Sequence, residues 1–159
     1  MGLFKKKVKN TVRFHRWSKV FQIEDVPDDV FATKMMGDGI AIIPSSGEIY
    51  APCDGEISMV MEHSLHALGI INEDGMELLL HIGLDTVELM GEGFCAHVKK
   101  GDYVHKGDLL VTYDATLVKE KGYKDTTMLI VVDPKNHQLV SYHTNKEMHK
   151  GTSELLTYK

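Results

Sequence analysis

The apolar residues of this chain come in short bursts, and glycine separates them. Glycines at 37, 39, 47, 55, 69, 75, 83, 91, 93, 101 and 107 divide residues 20 onward into brief segments. Between them lie apolar runs at 40–43, 48–51, 56–61, 66–71, 76–82, 94–98 and 109–113. Runs of this length, repeating at about 8–12 residues, predict an all-β sandwich or barrel. Strand–helix alternation of the α/β kind is absent. A further strand is expected at 126–132, and 154–158 reads as a closing strand after the polar stretch 141–151. Two short helical turns punctuate the pattern. Asp28 and Asp29 can cap one that ends near Gly37, and Asp114 can cap another that stops at Gly122.

The chain of 159 residues is 43% apolar, enough to build the core of one domain. It contains no apolar run near 18 residues, so no transmembrane helix is expected. The first residues lack the apolar core of a signal peptide. Cys53 and Cys95 make neither a disulfide framework nor a metal box, which fits a reduced, cytoplasmic setting.

Charge divides the chain. Residues 1–19 carry Lys5, Lys6, Lys7, Lys9, Arg13, Arg16 and Lys19 and no acid; that +7 within a whole-chain −5 leaves −12 for the rest. So acidic a body excludes a nucleic-acid role, which needs a basic surface for phosphates. The expected organisation is a basic tail over 1–19 and a single domain over 20–159. Within the tail, Phe4, Val8 and Val12 fall at i, i+4 and i+8. Two readings stay open: an amphipathic helix making peripheral contact with the inner face of the membrane, and a solvated tail. Lys6 stands where a myristoylation motif needs Ser or Thr.

Two of the nine histidines are specially placed. His66 and His81 lie on apolar runs joined by Asn72-Glu73-Asp74-Gly75, a turn signal. A four-residue loop pairs Ile71 with Met76 and sets His66 opposite His81, with Cβ atoms about 4.5–5.5 Å apart. A two-residue Asp74-Gly75 loop makes them diagonal neighbours at about 7–8 Å. Either register leaves both rings on one face. Such a pair suits metal binding, general acid–base catalysis, or nucleophilic attack on phosphorus by one neutral ring while the other donates to the phosphoryl oxygens. Spacing alone leaves these open, together with two histidines that do no chemistry. Ser64, two residues before His66, offers a hydroxyl that could fix a ring tautomer.

An ordered series of segments then narrows the choice. It runs Ile23-Glu24-Asp25-Val26-Pro27-Asp28, Met36-Gly37-Asp38-Gly39-Ile40-Ala41-Ile42, Ala51-Pro52-Cys53-Asp54-Gly55 and Ser64-Leu65-His66-Ala67. It continues with Leu80-His81-Ile82-Gly83-Leu84-Asp85-Thr86-Val87-Glu88-Leu89, Gly91-Glu92-Gly93-Phe94 and Lys106-Gly107-Asp108. Over residues 20–132 the chain resembles the glucose-type enzyme IIA components of the bacterial phosphoenolpyruvate:sugar phosphotransferase system. The resemblance implies an antiparallel β-sandwich, a barrel-sandwich of duplicated hybrid type. It implies a phosphocarrier in which His81 accepts a phosphoryl group from the general carrier HPr. His81 then passes it to a cysteine of an enzyme IIB or IIBC permease during sugar uptake. His66 supports the phosphoryl group, Ser64 orients His66, and Asp28 and Asp85 flank the site as partner-binding acids. Phe31, Met35, Met36, Met61, Leu79 and Val87 match the family's apolar partner-binding rim. The unphosphorylated form is expected to bind other uptake or metabolic proteins. Neither Cys53 nor Cys95 carries a IIB signature, which places the next carrier on another chain.

No metal or organic cofactor is required for such a transfer. The pair His66 and His81 could take up Zn²⁺ opportunistically, with a third ligand from a partner. Two other classes fit poorly. The His81-to-Asp85 H-x-x-x-D of a zinc peptidase lacks its second H-x-H pair. Lys34-Met35-Met36 lacks the flanking residues of a biotinyl or lipoyl lysine.

Overall fold

The computed structural model describes residues 10–13, 17–142 and 154–158. Its strands are β1 (Asn10–Arg13), β2 (Trp17–Gln22), β3 (Asp38–Pro44), β4 (Glu48–Tyr50), β5 (Gly55–Val60), β6 (Ala67–Asn72) and β7 (Glu77–Leu84). They continue with β8 (Phe94–Ala96), β9 (Tyr103–Val104), β10 (Leu109–Tyr113), β11 (Lys124–Asp133), β12 (Leu139–Tyr142) and β13 (Glu154–Tyr158). Helices α1 (Asp29–Ala32) and α2 (Ala115–Glu120) are short. Both are capped by the expected aspartates: Asp28 accepts from the Val30 amide and Asp114 from the Leu117 amide. Among the described residues, no helix is long and apolar enough to cross a membrane.

Among the described residues every strand pairing is antiparallel, in keeping with an all-β sandwich. The main sheet has seven strands in the order β2-β3-β11-β7-β6-β5-β9, beside three-stranded sheets β4-β10-β8 and β1-β13-β12. Alternation along the central strands gives the main sheet two buried faces. One face presents Ile40, Ile42, Leu68, Ile70, Leu78, Leu80, Ile82 and Leu129 to the sandwich core, with Leu110, Val111 and Tyr113 of β10 in the same cluster. The other presents Ala41, Ala67, Leu79, Met128 and Ile130. Ile23 of the short helical turn Ile23–Asp25, Val26 just after it and Phe31 of α1 cover this second face. The histidine site lies on this covered side.

The N-terminal expectation needs correction. Asn10–Arg13 is a strand paired with β13, so no helix runs through it. Trp17 is only 4% exposed within the core, and β2 pairs with β3 from Trp17↔Pro44 to Gln22↔Ile40. Burying an indole outweighs the solubility of its basic neighbours, because it withdraws about 150–250 Å² from water. Residues 1–9 lie outside the described residues, and with them most of the expected membrane contact.

Candidate functional site

The β6–β7 hairpin adopts a register between the two expected ones. Ala67 pairs with His81, Leu68 with Leu80 and Ile71 with Glu77. The cause is Asn72. Its side-chain oxygen accepts from the amides of Asp74 (3.0 Å) and Met76 (2.9 Å), closing a three-residue turn in which Gly75 has φ +80°. Unbroken alternation in this register would put His66 and His81 on opposite faces. The backbone leaves the ladder first. Leu65 has φ +55° and packs toward the sandwich core, while His66 turns to the face that Ala67 and His81 share. The Ile82 amide still donates to the His66 carbonyl at 2.7 Å.

The two imidazoles are therefore adjacent despite the register. Their centroids are 4.8 Å apart and their planes nearly perpendicular at 86°. His66 is 4% exposed, and its Nδ1 lies 2.6 Å from the buried Ser64 Oγ. His81 Nδ1 lies 3.0 Å from the carbonyl oxygen of Gly83. A carbonyl only accepts, so His81 Nδ1 carries the proton and the neutral ring keeps its lone pair on Nε2. Phe31 closes one side of His81, with ring centroids 4.7 Å apart.

Burial under Phe31 and α1 pushes the His81 pKa down to about 4, helped by repulsion from His66; the Gly83 carbonyl and the Asp28 carboxylate oppose the shift. Burial also lowers the pKa of His66. His81 is thus neutral at physiological pH, as a nucleophile must be. An unfolded histidine titrates near 6.5. Between about 4 and 6.5 the unfolded chain binds more protons, so stability rises with pH across that window. The contribution is complete above pH 6.5 and is lost as pH falls toward 4. Urea melts at about pH 7 and about pH 5 are expected to differ by about 2 kcal/mol on account of His81, with His66 adding in the same direction. His81→Gln should remove that share of the difference.

Gly83 was given no role in the sequence, yet it aims the carbonyl that fixes His81. It has φ +83°, and a Cβ there would collide with Thr86 Cγ2 and come within 2.9 Å of the Lys124 carbonyl oxygen. Thr86 is buried and donates to the Ile82 carbonyl, so it has no room to yield. Gly83→Ala is expected to cost about 1–3 kcal/mol, measured by chemical denaturation. In the variant, His81 Nδ1 should exchange its proton with water faster than in the parent.

Around this centre, Met61 joins the same row of backbone, its amide donating to the Ala67 carbonyl. Met35, Met36, Met61 and Val87 are exposed at 77%, 38%, 43% and 44%. Phe31 and Leu79, expected on the rim, are instead buried in the cluster that covers the second face of the main sheet. Met90 and Val30 are large exposed apolar residues that the sequence reading passed over. The signal for Met90 was its place just before Gly91-Glu92-Gly93, at the end of the helical turn Thr86–Leu89. Asp85 is exposed, with φ +58°, at the start of that turn. Asp28 is half-buried and close enough to act on the charge of His81. Among the described residues, no group of three or more His, Cys, Asp or Glu side chains could hold a metal ion.

Fold and site together define an antiparallel β-sandwich carrying a buried imidazole pair. Comparison with known proteins gives the family. The model of the phosphoenolpyruvate-dependent sugar phosphotransferase system EIIA 1 family matches residues 14–137, and the chain belongs to that family. It is 48% identical over 137 residues to the "PTS system glucose-specific EIIA component" of Halalkalibacterium halodurans, covering 86% of this chain and 79% of that one. It is 42% identical over 138 residues to the protein of the same description from Oceanobacillus iheyensis, covering 87% of this chain and 83% of that one. Among solved structures, glucose permease IIA from Mycoplasma capricolum superposes with a TM-score of 0.86 at 32% identity, over 99% of both chains. The chain is therefore an EIIA component that serves phosphoryl transfer in sugar uptake.

Proposed function

We propose that Nε2 of His81 accepts the phosphoryl group from a phosphohistidine of HPr and hands it to a cysteine thiolate of an enzyme IIB or IIBC permease. The observation that carries this reading is the His81 Nδ1 contact with the Gly83 carbonyl, which leaves Nε2 unprotonated. The lone pair of Nε2 forms the new N–P bond as the donor's N–P bond breaks, and the breaking pair returns to the donor ring. His81 gains positive charge in this step while its Nδ1–H stays on the Gly83 carbonyl, whose dipole stabilises it. No proton needs to change hands, and no metal or organic cofactor enters.

His66 is the hydrogen-bond donor to the transferred group. Two facing imidazoles with bare Nε2 atoms would repel each other and the incoming oxygens. Ser64 resolves this by donating its hydroxyl proton to His66 Nδ1, which leaves a proton on His66 Nε2. The exposed methionines and Val87 form a collar that excludes water from the labile N–P bond and repacks against two different partners. Asp28 and Asp85 attract the basic face of a donor. The phosphoryl group adds about −1.5 to −2 charges to this face, so partners that favour the bare form are released on phosphorylation.

The test is reconstitution. The purified chain, with phosphoenolpyruvate and the two upstream carriers, should acquire one acid-labile phosphate and lose it on addition of a cognate IIB domain. Labelling that survives acid, or that is not chased, would reject the proposal.

A further inference from the structure

We infer that Asp28 is a positioning residue for His81: by capping α1 it holds the Phe31 ring against the imidazole, a task separate from any contact between its charge and a partner. This rests on the reading of His81 as phosphoryl acceptor. The geometry is local and continuous. Asp28 is extended (φ −154°, ψ 118°), and its Oδ1 accepts from the Val30 amide at 2.9 Å. Its carbonyl accepts from the amides of Phe31 (3.2 Å) and Ala32 (2.9 Å). The helix so begun has only four residues, too few to persist on its own hydrogen bonds. Its one buried side chain is Phe31, 4% exposed and 4.7 Å from His81 between ring centroids.

Asp28 therefore acts on His81 in two ways of opposite sign. Its charge favours the imidazolium, while the ring it secures keeps water away and favours the neutral form. The other groups acting on His81 are His66, from the turn before β6, and the Gly83 carbonyl at the end of β7. Neither belongs to α1, so changes at Asp28 can be read against a fixed background.

Substitution separates the two actions. Asn is as good a cap as Asp but carries no charge, and Ala is a poor cap. NMR titration of the His81 ring in the full chain should show Asp28→Asn leaving its pKa at or below the parent value. Asp28→Ala should move it upward, toward 6.5. In phosphoryl transfer from HPr, both variants should raise KM. Only Asp28→Ala should also lower kcat, by about 10- to 100-fold, and Asp28→Ser should restore kcat. Phe31→Leu, which leaves the cap in place, should reproduce the upward shift. The inference is overturned if Ala and Asn move the titration in the same direction with matching kinetics. It is equally overturned if Phe31→Leu leaves the titration unchanged. The NMR arm needs no phosphoryl transfer, so failure of the acceptor reading would leave it readable.

Discussion

His81→Gln is expected to leave the chain folded and to abolish phosphate incorporation down to background. Gln fills much of the same space and can still donate to the Gly83 carbonyl, but its amide nitrogen offers no lone pair for phosphorus. The loss should be complete because His66, the imidazole beside His81, is not free to replace it. His66 Nδ1 is engaged with Ser64, and the proposed role of its Nε2 is to donate. Adding His66→Gln to His81→Gln should cost nothing further, since residues acting as a unit do not contribute additively. Autoradiography after acid and alkaline treatment, with circular dichroism to establish folding, checks this. Substantial acid-labile label in His81→Gln would contradict it.

His66→Gln should give the second-largest effect and a different one. His81 keeps its tautomer and its nucleophilic nitrogen, so labelling from HPr should persist. Onward transfer to IIB should fall by about 100- to 1,000-fold, the usual cost of removing one preorganised donor from a developing oxyanion. Rapid-quench measurement of the two half-reactions separates them. A His66→Gln variant that passes phosphate at the parental rate would remove His66 from the mechanism. Ser64→Ala should give a milder form of the same defect, because it frees the tautomer of His66 without deleting the ring.

Much of this could be read from the chain because glycine spacing and two-residue alternation are local properties. The runs at 40–43, 48–51, 56–61 and 109–113 lie on β3, β4, β5 and β10, and both aspartate caps stand where their sequences suggested. The tail boundary at residue 19 falls too late because Arg16 and Lys19 mark a charged segment, and only the pairing of β2 with β3 shows that the Trp17 indole between them is covered. The hairpin register escaped for a subtler reason. Loop length was inferred from Asn72-Glu73-Asp74-Gly75 as a composition, whereas the Asn72 side chain binds two amides beyond itself and sets a three-residue turn. The strand reading was then rescued by an event no periodicity reveals, the left-handed Leu65 that brings His66 back to the face of His81.

The role of Gly83 illustrates the same limit. Its place two residues after His81 was plain in the chain, but its function lies in where its carbonyl points. That direction depends on a positive φ and on Thr86 and Lys124 packed behind it. Similarly, Phe31 and Leu79 matched an apolar rim by resemblance, and three-dimensional packing buries them. Of the residues matched to that rim, Met35, Met36, Met61 and Val87 are the exposed ones, as a docking surface would need.

In the proposed transfer the phosphoryl group is carried on one particular nitrogen of one ring. Nitrogen-15 and phosphorus-31 NMR on the phosphorylated chain, labelled at histidine, reads the N–P bond directly. A single phosphohistidine is expected, bonded through Nε2 of His81, with the Nδ1 proton of that ring still held by Gly83. A bond through Nδ1, or phosphate on the imidazole of His66, would contradict it.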